Sequence, residues 1–125
     1  MPFITSGPSL RRLPLFFAYC PDYAGVLAKR LEVRPKHWAR VQKEAEEGLH
    51  EFGLGYLPPP ESSSTLPADV PSSTPLMDGS LMVFRAISLD HAWKRIKEDI
   101  YYTDGVWDKE KCVVREFIKH EKYSD

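Results

Sequence analysis

The sequence predicts an α+β fold of the ferredoxin-like, split βαβ type, with elements in the order βαββαβ. Three observations carry the prediction. Short apolar and aromatic runs, or period-two alternation, mark four strands. Two longer segments place apolar residues at helical spacing. The 125 residues suit one domain and are too few for two.

The first strand is Leu13–Cys20, read as LPLFFAYC, short and buried on both faces. Pro14 fits only near its start. Pro21-Asp22 ends it, and Asp22 is placed to cap a helix. A helical piece then runs from Tyr23 to Leu31. Pro35 is expected to interrupt it, because the residue before a proline, Arg34, is pushed out of helical geometry. A second helical piece starts at Pro35, a favoured first position, and ends near Gly48, a left-handed cap. Trp38, Val41, Ala45 and Leu49 form its apolar stripe.

In the second strand, Glu51–Leu57, Phe52, Leu54 and Tyr56 alternate with small residues. Gly53 and Gly55 leave its other face bare, which serves a bulge, close packing with another element or room for a ligand. Residues 58–76, rich in proline and serine, form neither helix nor central strand. They make a mobile loop or a lid. Asp78-Gly79 turns into a third strand, Ser80–Ala86. A helix follows over Ser88–Asp99, with Ser88 as N-cap and Leu89, Ala92, Trp93 and Ile96 facing inward. An aromatic turn, Ile100–Val106, leads to a last strand, Lys111–Ile118. The domain is thus 13–118, between a disordered extension (1–12) and a polar tail (119–125).

Composition narrows the function. Seventeen Lys and Arg face eighteen Asp and Glu, without the basic surplus that phosphate-led nucleic-acid binding needs. No apolar run approaches the ~20 residues of a membrane span, and no signal-peptide core is present. A cytoplasmic protein with neither nucleic-acid nor membrane partners is expected. Cys20 and Cys112 lie far apart without metal-ligand spacing and read as buried reduced thiols. A nucleophilic Cys20 would need a nearby base. Both helices of the split βαβ unit lie on one sheet face, so the other face needs a cover. A second copy supplies one, and a homodimer is expected.

Acid–base work near neutral pH favours histidine. Of the four histidines, His50, His91 and His120 read as exposed. His37 stands in the first turn of the helix expected from Pro35, a place that favours a neutral ring. Arg30, Arg34 and Arg40 surround it, able to grip an anionic substrate. A solvated helix start with scattered charges accounts for the same spacing. Asp99, at the end of the second helix, is electrostatically misplaced there. A bond to His37 would explain it, since a carboxylate fixes an imidazole's tautomer. No P-loop, dinucleotide fingerprint, paired metal ligands or nucleophile elbow occurs. Nothing marks a cofactor or a metal.

The stretch AKRLEVRPKHWARVQ, preceded by LFFAYCPD, resembles the opening of YciI-like (YCII-related) proteins, with Arg30, Arg34, Pro35 and His37 on the family's R-x-x-x-R-P-x-H positions. EDIYYTDGVWDKEKCVVREF resembles the family's D-P-Y…G-V segment through Asp99, Tyr101, Gly105 and Val106, with Ile100 in place of proline. The resemblance covers roughly Leu13 to Phe117. It implies a dimeric α/β barrel and an active-site pair at His37 and Asp99, and some members are lyases or dehydrohalogenases of small oxygenated ring compounds. The long loop and the N-terminal extension depart from it and suggest a specialised member, as in secondary metabolism. The expectation is a small cofactor-free enzyme of isomerase, elimination or lyase type. His37 and Asp99 are its catalytic residues. Arg34, Arg30, Tyr19, Asp22 and Tyr101 are candidate contacts to a small anionic or aromatic-derived substrate. A non-catalytic homodimeric ligand-binding module is the alternative.

Overall fold

A computed structural model of the chain describes residues 13–62 and 65–119. The expected extension at 1–12 and His120 with most of the tail lie outside the described residues. Strands β1 (Leu15–Pro21), β2 (His50–Tyr56), β3 (Gly79–Arg85) and β4 (Val113–Glu116) form one sheet, ordered β2-β3-β1-β4. Every neighbouring pair is antiparallel. Helices α1 (Leu27–Glu46), α2 (Leu89–Lys97) and α3 (Ile100–Thr103) complete the chain. The β1-α1-β2 and β3-α2-β4 units interleave, because β3 lies between β1 and β2 and β1 lies between β3 and β4. This is the split βαβ arrangement expected from the element order.

Alternation along the strands sorts the two faces. Phe16, Ala18 and Cys20 of β1, Met82 and Phe84 of β3, and Val114 of β4 are buried under the helices. Ala92 and Ile96 of α2, with Tyr101, Val106 and Trp107, close the core from above. Each large apolar side chain so buried contributes about 1.5–3 kcal/mol. The opposite face keeps Tyr19, Phe52, Leu54 and Leu81 exposed.

Helix α1 corrects the sequence reading most. It is one helix of 20 residues that contains Pro35, not two pieces with Arg34 in a bend. The ring removes one backbone donor and frees the Leu31 carbonyl. Pro35 lies on the exposed side, where water can meet that carbonyl, and the buried side holds the helix together. The inward stripe is Leu27, Arg30, Val33, His37 and Val41, spaced by three and four. Trp38 was expected in the stripe but is 54% exposed, and Ala45 is exposed as well. His37 therefore stands in mid-helix, without the influence of a helix start.

Two caps differ in outcome. Asp22 does not cap α1, whose N-cap is Val26 with no side-chain bond. Ser88 does cap α2, accepting from His91 N at 3.1 Å. Gly48 takes φ 82° just beyond α1, a left-handed stop. Helix α2 ends at Lys97, earlier than expected, and Leu89 is exposed instead of inward. The predicted aromatic turn is the short helix α3, with Asp99 as its N-cap. Strand β4 keeps only Val113–Glu116 of the run expected from Lys111.

Candidate active site

The inward stripe of α1 buries two ionisable side chains, and a buried charge needs partners. Arg30 is 3% exposed. Its Nε donates to Asp22 Oδ2 at 2.8 Å, and its Nη2 donates to Ser80 Oγ at 2.5 Å. Trp107 Nε1 donates to the same hydroxyl at 3.2 Å. The backbone after β1 is pinned beside it, with Asp22 N donating to Asp78 O and Tyr23 N to Val106 O. Burial raises the Asp22 carboxyl above its ordinary value, and the Arg30 pair pulls it back in part.

About two turns further along the helix lies His37. Its Nδ1 is 2.9 Å from both carboxylate oxygens of Asp99. The two side chains are 14% and 4% exposed. An ionised carboxylate only accepts, so Nδ1 carries the hydrogen and Nε2 is left for other work. Asp99 is itself fixed. As N-cap of α3 it accepts from Tyr101 N at 2.9 Å, and Arg40 Nη1 stands 3.5 Å from its Oδ2. Its seemingly misplaced charge thus begins a turn, where a carboxylate is favoured.

Tyr101 links the two clusters. Its ring stacks on His37 at 4.1 Å between centroids, and the Arg30 guanidinium lies 4.5 Å from its centre. Trp107 meets His37 edge-on at 6.2 Å. Burial pushes the Tyr101 phenol up, so it stays protonated near neutral pH.

His37, Tyr101 and Arg30 border a cavity of about 90 Å³ between α1 and β2. His37, Arg30, Arg34 and Tyr101 line one side, and Gly53 and Gly55 the other. The bare strand face seen in the sequence is therefore the wall of a cavity. A side chain at Gly53 would crowd it, since a Cβ there would meet Met82 Cγ at 2.9 Å. Arg34 lines the cavity from an exposed position.

The predicted site residues separate into three groups. His37, Asp99 and Tyr101 come together, and Arg34 joins His37 and Tyr101 at the cavity, with Asp99 behind the imidazole. Arg30 lines the cavity too, but Asp22 and Ser80 occupy its guanidinium, and Asp22 faces Arg30 rather than the cavity. Tyr19 does not join the site. It projects from the opposite sheet face, because Ala18 and Cys20 point to the helices, and it stacks on Tyr56 at 5.5 Å. Sequence reading did not anticipate Ser80, Met77 or His50 in the lining, nor Arg40 as a support of Asp99. They arrive through strand register and helix packing.

The remaining candidates lie elsewhere. Cys20 and Cys112 are free and buried. A hydrogen bond shared with Cys112, and then burial, push the Cys20 thiol well up, which removes the thiolate a nucleophile needs. Among the described residues, no group of three or more His, Cys, Asp and Glu side chains is placed to hold a metal ion. Among them, too, no helix is long and apolar enough to cross a membrane.

No family model matches the chain. It is similar to aspercryptin biosynthesis cluster protein B of Emericella nidulans, 30% identical over 101 residues, which are 78% of this chain and 58% of that protein. The chain thus spans 58% of the length of that curated relative. Its fold is similar to that of 5-chloro-2-hydroxyhydroquinone dehydrochlorinase (TftG) from Burkholderia phenoliruptrix AC1100, solved in complex with 2,5-dihydroxybenzoquinone. The TM-score is 0.63 at 22% identity, over 89% of this chain and 99% of that one. The likeness establishes the ferredoxin-like fold of the dimeric α/β-barrel type.

Proposed function

We propose that the chain is a YciI-like enzyme that moves a proton on a small oxygenated, anionic or aromatic-derived substrate. The observation that carries the reading is the Asp99 carboxylate on Nδ1 of His37, beside a cavity that His37 lines. A base must hold one tautomer and one orientation, and a carboxylate behind the ring supplies both. His37 acts through Nε2. It takes a proton from a carbon next to a carbonyl, or from a ring position whose leaving group departs. Arg34 meets the negative charge that develops on oxygen. Arg30 serves from behind, holding Tyr101 against the imidazole.

Two likenesses support a lyase or isomerase reading. The fold neighbour is named as a dehydrochlorinase, and the relative is named for a biosynthetic cluster. A place in secondary metabolism follows as part of the proposal. The exposed apolar face of the sheet supports a homodimer, in which a second copy covers Leu54 and Leu81.

The experiment is a turnover assay with halogenated hydroquinones and lactones as candidate substrates. On a substrate that the wild type converts, His37→Ala is expected to lower kcat by about 10²–10⁴-fold, the usual contribution of a positioned acid–base group. Circular dichroism and sedimentation should be unchanged. Full activity in His37→Ala would remove His37 from the chemistry.

A further inference from the structure

His50 follows the α1–β2 turn and read as exposed in the sequence. The β2–β3 register gives it another place. Phe52 pairs with Val83 and Gly53 with Met82, yet His50 pairs with Phe84. Glu51 is therefore an extra residue, a β-bulge. Residues opposite one another in an antiparallel pair share a face. Phe84 and Met82 point to the helices, so His50 and Gly53 do too. Without the bulge, His50 would share the face of Phe52 and project from the far side of the sheet.

The bulge is held in place. Glu51 Oε2 accepts from Arg85 Nε at 3.0 Å, and Arg85 N donates to Leu49 O at 2.7 Å. Space is provided as well. A Cβ on Gly53 would stand 3.1 Å from His50 Cε1, so the glycine makes room for the imidazole. The ring lines the cavity from β2, while His37 and Arg34 line it from α1. A neighbouring recess of about 20 Å³ joins His50 to Asp99 and Arg40.

We infer that His50 is a second substrate-contacting imidazole, which donates an N–H to a carbonyl or phenolate oxygen of the substrate while His37 moves the proton. The inference rests on the acid–base reading of His37. Bulges next to active sites re-aim side chains in this way. Burial lowers the proton affinity of His50. Glu44 of α1 and Glu51 of β2 oppose the effect, and Arg95 of α2 and His37 add to it. A neutral ring is the form that donates to an oxygen without bringing a charge to be desolvated, as a neutral histidine does in polarising a carbonyl.

The test uses the full chain with histidine rings labelled for NMR, and 2,5-dihydroxybenzoquinone as probe. Single His→Gln variants assign the ring signals. The His37 and His50 signals are expected to move along one saturation curve while His91 stays still. His50→Leu, which has no donor, is expected to weaken the probe about tenfold or more, the effect of losing a hydrogen bond to a charged oxygen. Should His50→Leu fail to fold, nuclear Overhauser contacts between the wild-type His50 ring and the probe's ring protons decide, their presence supporting the inference and their absence overturning it. A moving His37 beside a still His50, with unweakened binding by His50→Leu, overturns the inference and leaves the reading of His37 standing. If neither ring moves, both fall.

Discussion

Asp99 offers both carboxylate oxygens to Nδ1 of His37, each at 2.9 Å, across a gap of 62 residues in the chain. Asp99 is also the N-cap of α3 and lies beside Arg40. The carboxylate is thus held by a backbone N–H and an arginine before it holds the imidazole. Support of this kind keeps a catalytic ring within a narrow range of orientations.

The Asp22–Arg30 pair is buried on both sides, 3% exposed each. Breaking such a pair from one end strands a charge and costs about 3–5 kcal/mol. Asp22→Asn is expected to lower unfolding stability by about that amount, read from urea denaturation. Because Arg30 also braces Tyr101, the His37 ring signals should broaden or shift in the same variant. A loss below about 1 kcal/mol, the level of a surface pair, would contradict the assignment.

His50 sets a pH dependence. Its folded-state pKa lies below the ordinary 6.5 because of burial. As pH falls through 6.5, the unfolded chain takes the proton first, so the unfolded state gains and stability drops. The drop continues down to the lowered folded pKa and then levels, while above 6.5 the group contributes no slope. Urea midpoints measured from about pH 8 to about pH 5 should fall more steeply in the wild type than in His50→Gln. Parallel curves would show that His50 is not buried as described.

The outer sheet face predicts an assembly. Leu54 is 73% exposed, and Tyr19, Phe52 and Leu81 extend the same apolar surface. Analytical ultracentrifugation of the wild type is expected to give a dimer, and Leu54→Lys with Leu81→Glu a folded monomer. A wild-type monomer at the same concentrations would contradict the homodimer.

Much of this fold is legible in the sequence because its signals are local. The apolar run of Ser80–Ala86 behind the Asp78-Gly79 turn, the aromatic run of β1 and the Ser88 cap each state their element without help. The helix through Pro35 is not legible. The local proline rule was overridden by burial of Leu27, Val33 and Val41, which lie on the side away from the ring. The same error turned Trp38 inward and set His37 at a helix start. The pairing of His37 with Asp99 was suggested by a resemblance and by an acid that seemed misplaced. The place of His50 depends on a one-residue bulge in β2, and cross-strand register cannot be read from one strand alone.

The central claim is that Asp99 fixes the tautomer of His37 and leaves Nε2 for proton transfer. Long-range ¹H–¹⁵N correlation spectra of the histidine rings, taken through a pH titration, test it without a substrate. In the neutral His37 ring the account predicts a proton on Nδ1 and a bare Nε2, with that preference lost in Asp99→Asn. A neutral ring protonated on Nε2 in the wild type would contradict it.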